Sequence, residues 1–277
     1  MIRTRPHTGL LKAGSLGAAM FFGLAAGAAA DTPALPPAMA ASKTITFCAA
    51  MTLPPVIYFN SNLKPAGVDV DFGNMLAQHL GVTVKWDNVP FSSMIPDLIS
   101  GHCDAIVSAL YIQAERLKVI NEIPYMFVAQ SVLLKAGAPK LDSLAELSGR
   151  KVAAVTGSAT NMQLDEANQA LKKAGKPPID VIDFPDNSAA LQQLEFGQVE
   201  AFTVQYETAV YYSNLQPSQF ELGIAPFYKV PIGVGLRKND PVLQAAVTTA
   251  LDDMLKNGSM SGLLKKWDLT SDTLPKT

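Results

Sequence analysis

Histidine and cysteine are scarce in this 277-residue chain: there are three of the first and two of the second. Beyond the first thirty residues only His79 and His102 remain, and neither stands in a cluster spaced to ligate an ion. No metal and no cofactor are therefore expected. Charge is also sparse, at 17% of residues with a net of −2, so there is no basic surplus for a nucleic-acid partner. The chain shows no nucleophile with an adjoining base and no phosphate-cradling loop, and no catalytic residue is assigned. What is abundant is apolar material, 48% of the chain, enough for one large core or two medium ones.

The first thirty residues differ from the rest. Arg3, Arg5 and Lys12 precede the small-residue and apolar run "GSLGAAMFFGLAAGAAA", which closes in Ala28, Ala29 and Ala30. That is the layout of a secretory signal peptide over residues 1–30, with cleavage after Ala30 or, through Ala38-Met39-Ala40, as late as Ala40. The run is short for a membrane span and rich in Ala and Gly. No cysteine follows it at a lipid-attachment position, because Cys48 lies in "TITFCAA". The mature protein is expected free in the periplasm; from Asp31 onward it carries 19 basic and 24 acidic residues, a net charge of −5. Cys48 falls late in one predicted strand and Cys103 at the start of another. If those strands are parallel neighbours, the sulfurs lie at opposite ends of a sheet, which predicts two free thiols.

A Pro- and Ala-rich stretch from Thr32 to Ser42 reads as a flexible leader. "KTITFCA" then reads as a strand, and "VDVDFGNMLAQHLG" as a helix capped by Asp69 or Asp71, with Phe72, Met75, Leu76 and Leu80 on one face. "VTVKWDNV" alternates as a strand. "FSSMIPDLISG" is a helix with Pro96 in its first turn, and "CDAIVSAL" an apolar strand. The order repeats in "RKVAAVTG", "TNMQLDEANQALKKAG", "IDVIDFP", "SAALQQLEFG" and "VEAFTVQ". "LISGHCDAIVS" and "LEFGQVEAFTV" even share Leu, Gly, an acid and Ala at matching offsets. Two similar α/β lobes follow. The tail, "VPIGVGLRK" and the helix capped by Asp240, cannot bury itself alone and is expected to return to the first lobe. The boundaries are residues 42–130 plus 235–277 for one lobe and 131–234 for the other. The chain then crosses between them near Ser131–Lys135 and Val230–Val234, forming a hinge beside a cleft.

Within "SALYIQAER", Arg116 is a long, permanently cationic side chain able to grip a carboxylate through two parallel bonds. It can equally be an ion-paired surface residue, paired with Glu115 or another acid, and spacing alone does not choose. Ser108, Ala109 and Tyr111 leave the end of a predicted strand. Gly157, Ser158, Ala159 and Thr160 join a strand to a helix N-terminus, which suits an anion, although Ser158 and Thr160 also serve as ordinary helix caps.

In this order, "GVDVDFGNMLAQHLG", "MIPDLISGHCDAIVSALYIQAER", "IPYMFVAQSVLL", "LAELSGRKVAAVTGSAT", "ALQQLEFGQVEAFTVQ" and "VGLRKNDPVLQAAVTTALDDMLKNGSMSGLLKKW" resemble the family 3 extracytoplasmic solute-binding proteins. These are the polar amino-acid receptors of ABC importers, and the resemblance runs from Thr44 to Asp268. It implies an α/β fold of two Rossmann-like lobes joined by a two-strand hinge, the periplasmic binding protein type II architecture. It also implies a monomer that captures a small carboxylate-bearing ligand and hands it to an ABC permease in the inner membrane, with Arg116 gripping the carboxylate. Leu53 and Val56 stand around Pro54-Pro55 where the family places an aromatic pair; Tyr58 and Phe91 are the aromatic residues available to compensate. Ala109 and Tyr111 replace serines. Gln205 replaces the acid that pairs with the ligand ammonium, which points to a solute without a free α-ammonium. Two other functions share this fold: a periplasmic cyclohexadienyl dehydratase-like enzyme, for which Glu200 and Glu207 are poorly placed acids, and a non-transport accessory protein of a periplasmic dehydrogenase.

Overall fold

A computed structural model describes residues 33–269 and 273–275. The expected signal peptide, residues 1–30, lies outside the described residues. In chain order the elements are α1 (Pro37–Ser42), β1 (Thr44–Ala49), β2 (Thr52–Leu53), β3 (Ile57–Phe59), β4 (Pro65–Ala66), α2 (Val68–His79), β5 (Thr83–Asn88), α3 (Met94–Ser100), β6 (Ala105–Ile106), α4 (Ala114–Leu117) and β7 (Ile120–Lys135). There follow β8 (Lys151–Val155), α5 (Ala159–Lys173), β9 (Asp180–Phe184), α6 (Asn187–Glu195), β10 (Ala201–Gln205), α7 (Tyr206–Leu215), β11 (Phe220–Leu222), β12 (Phe227–Arg237), α8 (Pro241–Lys256) and α9 (Ser259–Lys266).

The main sheet runs β5-β1-β6-β12-β7-β10-β8-β9, with β11 on β7. At one end β5, β1 and β6 are parallel, and at the other β10, β8 and β9 are parallel. The antiparallel pair β7 and β12 joins these two halves. The inner strands of each parallel layer, β1 and β6 in one and β8 and β10 in the other, are largely buried on both faces, as crossover helices require. Along β8, Val152 and Ala154 pack with Leu164 and Leu171 of α5, while Ala153 and Val155 pack with Ala190 and Leu194 of α6. The two-residue period of a strand divides its side chains between two helices. The tail helices supply Leu243, Val247, Met254, Met260 and Leu264 to the same core as Phe47, Phe72 and Leu76 of the first half.

The long strands revise the expected crossing. β7 pairs with β12 from Ile120 to Gln130, then with β10 from Gln130 to Leu134. Ser131–Lys135 thus already belongs to the second half, and the changeover lies at Phe127–Gln130, opposite Phe227–Pro231 of β12. A 16-residue strand has no turn residue to mark where its partner changes, so the sequence held no signal for the exact point.

Three local expectations are also corrected. The leader is not featureless: Pro37–Ser42 is helical and Met39 is buried in the first core. Cleavage after Ala40 would remove that contact. The helix cap of α2 is Gly67, not Asp69 or Asp71. Gly67 is at φ 123°, and a Cβ there would lie 2.2 Å from the Val56 carbonyl oxygen, so only glycine fits. Asp71 instead accepts from Trp267 Nε1 at 2.7 Å and pairs with Lys266 at 2.7 Å.

Cys48 and Cys103 form a disulfide, contrary to the expected free thiols. β6 is only two residues long, so Cys103 precedes the strand in the loop that leaves α3. Cys48 alternates away from the α2 side of β1 and joins Met94, Leu98, Cys103 and Ile106. The two Cα atoms are 5.7 Å apart, within normal bridging distance.

Candidate functional site

Every parallel strand next to the cleft ends there, as α/β sheets place their ligands. The first half contributes Ala50 after β1, Ser108, Ala109 and Tyr111 after β6, Leu53 of β2 and Phe91 from the short 3-10 turn after β5. The second contributes Val155, Ser158 and Thr160 after β8, Asn187 after β9, and Val204 and Gln205 of β10. Together they enclose a cavity of about 40 Å³. Its two walls touch: Thr52 Oγ1 accepts from Asn187 N at 3.4 Å and from Asn187 Nδ2 at 3.3 Å.

Arg116 spans the same gap. It is 8% exposed. Nη1 donates to the Tyr111 carbonyl of the first half at 2.8 Å and Nη2 to the Gly157 carbonyl of the second at 3.1 Å. The guanidinium lies 5.5 Å from the centre of the Phe91 ring, a cation–π distance. Burial lowers its pKa, while the nearby Glu122 and Tyr111 raise it. Glu115, its sequence neighbour, pairs instead with Lys118 at 2.6 Å on the surface. Glu115 is thus not the partner of Arg116; the acid close enough to act on it is Glu122.

The turn from Ser108 to Tyr111 is braced from inside the first core. Ala109 has φ 48°, a left-handed conformation that costs a non-glycine residue about 1 kcal/mol. Its N–H donates to Asp69 Oδ2 at 2.6 Å, and Asp69 Oδ1 accepts from Tyr125 Oη at 2.7 Å. Tyr125 stacks on Phe72 with ring centres 4.0 Å apart. Ser108 Oγ accepts from Ala50 N at 3.0 Å, tying β1 to the same turn.

Residues 45–270 match the model of the bacterial extracellular solute-binding proteins, family 3. The chain belongs to this family. It is 30% identical over 210 residues to a lysine/arginine/ornithine-binding periplasmic protein of Escherichia coli, covering 73% of this chain and 78% of that one. It is 31% identical over 207 residues to an ABC transporter glutamine-binding protein of Bacillus subtilis, covering 73% and 72%. An ancestral arginine-binding protein bound to arginine superposes with a TM-score of 0.76 at 29% identity, covering 81% of this chain and 98% of that chain. The α/β architecture is thus that of the type II periplasmic binding proteins, and the role is solute binding. Among the described residues no helix is long and apolar enough to cross a membrane.

Within this family 3 protein most of the residues expected at the cleft are brought together. Leu53, Phe91, Ser108, Ala109, Tyr111, Ser158, Thr160 and Gln205 line the cavity, and Arg116 lies against its wall. Ser158 also caps α5, its Oγ accepting from Asn161 N at 3.2 Å and sharing a bond with Thr160 Oγ1 at 2.8 Å. Two expected residues are elsewhere. Ala159 turns into the first core, 2% exposed, because it opens α5 on the side facing Ala109 and Tyr111. Tyr58 belongs to the small β2-β3-β4 sheet and faces Tyr211 at 6.5 Å, so it does not line the cavity. Asn187, Gln130, Glu122 and the bracing role of Asp69 are not among the features expected from the sequence. Asn187, one residue past the cap Asp186 at the end of β9, was accessible to the rule on strand ends; the others depend on long-range packing.

Three carboxyls, the fully buried Asp69 and the partly buried Glu122 and Glu207, are pushed up to about 7, each chiefly by burial. These are Asp69 beside Tyr125 and the Ala109 N–H, Glu122 beside Arg116, and Glu207 beside Tyr111. Each holds its proton in the folded state at pH values where the unfolded chain has released it. Their contribution to stability is therefore full below the ordinary carboxylate range and lost as pH rises through about 7. The unliganded protein is expected to melt about 5 °C or more higher at pH 5 than at pH 7.5. An equal or lower melting temperature at pH 5 would contradict these assignments.

Proposed function

We propose that this protein is the periplasmic receptor of an ABC importer, that its two halves close as lobes about β7 and β12, and that its solute is a small organic carboxylate without a free α-ammonium. One observation carries the reading: a buried guanidinium at the junction of the two halves whose hydrogen bonds, among the described residues, go to the neutral carbonyls of Tyr111 and Gly157. Such a group retains donors and charge for a carboxylate. The relatives named for lysine, arginine, ornithine and glutamine support an amino-acid-like solute, and the relative named as part of an ABC transporter supports delivery to a permease. The end of β10 argues for a difference. Gln205, 4% exposed, offers a dipole and no charge at the cavity wall.

An ordinary α-amino acid would lose the ion pair that offsets desolvation of its ammonium, a deficit of a few kcal/mol or about 100-fold in affinity. Gln205→Asp is therefore expected to improve binding of standard L-amino acids by about that factor and to weaken binding of the native solute, identified by mass spectrometry after denaturing release. Calorimetric titration checks both, and small-angle scattering of the liganded wild type checks closure. Submicromolar binding of a standard L-amino acid by the wild type would sink the reading of Gln205.

A further inference from the structure

Six polar side chains line the cavity, and each is engaged with another residue of the protein. Ser108 Oγ accepts from Ala50 N at 3.0 Å. Ser158 Oγ accepts from Asn161 N at 3.2 Å and shares a bond with Thr160 Oγ1 at 2.8 Å. Asn187 Nδ2 donates to Thr52 Oγ1 at 3.3 Å, across the gap between the two halves. Gln205 hydrogen-bonds the Tyr111 phenol, as does Gln130 behind it. No acid stands among the described lining residues; Glu207 lines a separate cavity with Phe127 and Lys229.

The rest of the wall is apolar and continuous across the cleft. Ala50, Leu53, Phe91 and Ala109 come from the first half, Val155 and Val204 from the second. Leu53 and Phe91 also pack against the cluster that holds Val155 and Val204, so the two halves meet here through a hydrocarbon seam. The cavity within it, about 40 Å³, is little larger than the roughly 30 Å³ that one water molecule occupies in the liquid. A solute must therefore part the seam to enter, and what it then meets is methyl and methylene groups and one aromatic ring.

The two surfaces suit different ends of one molecule. Arg116, Ser108 and the Ser158–Thr160 pair retain protons to donate, which match a carboxylate. A polar group further along the solute would leave water and find the wall groups already engaged, at a cost of about tenfold or more in affinity. Each methylene buried in the seam gains roughly fourfold instead.

We propose that the solute is a short aliphatic carboxylate with a hydrocarbon body, its acid end on Arg116 and its tail between Leu53, Phe91, Val155 and Val204. The inference rests on the carboxylate reading of Arg116 and narrows the solute to one class: an acid with no second charged or hydrogen-bonding group. The absence of an acid from the cavity wall and the engagement of Gln205 with Tyr111 are parts of the same arrangement.

The test is calorimetric titration of the full protein, freed of co-purified solute, with butanoate and 3-methylbutanoate. The polar-tailed acids 4-aminobutanoate, succinate and L-valine are compared with them, and 3-methylbutanamide serves as the same tail without a carboxylate. At least one of the two alkanoates is expected to bind tenfold or more tightly than every polar-tailed acid, and 3-methylbutanoate tenfold or more tightly than its amide. Val204→Thr, which keeps the shape and adds a hydroxyl, is expected to narrow the preference for alkanoates at least threefold; Leu53→Asn reads the same effect if Val204→Thr does not fold. A polar-tailed acid that binds as tightly as the alkanoates, no saturable binding of either alkanoate, or a preference unchanged in both variants overturns the inference. An amide that binds as tightly as its acid overturns instead the carboxylate reading of Arg116 on which the inference rests.

Discussion

Arg116→Ala is expected to abolish capture of the native solute, with affinity falling by roughly 30-fold to several thousand-fold, the 2–5 kcal/mol typical of removing one partner of a buried charge pair. Two losses combine in this residue. The ligand carboxylate would be buried without a cation, which is the larger cost. The bridge from the Tyr111 carbonyl to the Gly157 carbonyl would also vanish, and with it one of the contacts holding the two halves together. Arg116→Lys separates the two: a lysine keeps the charge but cannot make both bonds at once with a planar fork, so partial recovery is expected. Calorimetry on the natively loaded solute reads the effect. Affinity within about threefold of wild type for the alanine variant would show that the anchor lies elsewhere, and a fall in melting temperature without loss of binding would assign Arg116 to structure alone.

The second large effect concerns stability. The Cys48–Cys103 bridge closes a loop across a sequence separation of 55 residues and ties β1 to the end of α3 within an apolar cluster of Met94, Leu98, Ile106 and Leu110. By the chain-entropy estimate, a loop of that size contributes about 4 kcal/mol. For a protein of this length that corresponds to roughly 10 °C in melting temperature. The Cys48→Ser/Cys103→Ser variant is expected to show that loss, and thiol counting on the denatured, non-reduced wild type is expected to find no free thiol. Two free thiols, or an unchanged melting temperature in the variant, would refute the bridge.

The alternation of strands and helices was legible because each is a local pattern. "RKVAAVTG" and "VEAFTVQ" are apolar runs of strand length, "ALQQLEFG" ends on a left-handed glycine, and Asp240 caps α8 by accepting from Leu243 N at 3.0 Å. Several cleft residues were legible for the same reason: Ser108, Ser158 and Gln205 sit at or just beyond strand ends, and strand ends are visible in a sequence. Features set by a partner far along the chain were not. Asp69 looks like a helix cap until Ala109, 40 residues later, brings its N–H to the carboxylate. Tyr58 looks like a cleft aromatic until the small sheet turns it toward Tyr211.

The sequence by itself determined that the chain builds two parallel α/β layers and that Ser108, Ser158 and Gln205 fall at or just beyond strand ends beside a cleft. Periodicity, glycine and proline positions and residue chemistry suffice for those. Only the tertiary structure decided that Cys103 meets Cys48, that the crossing lies at Phe127–Gln130, and that Gln130 and Glu207 gather behind Tyr111. Each of these is a question of where a short strand stops, which partner a long strand takes, or which side chains packing brings together. Such outcomes depend on contacts between residues far apart in the chain, and local sequence carries no record of them.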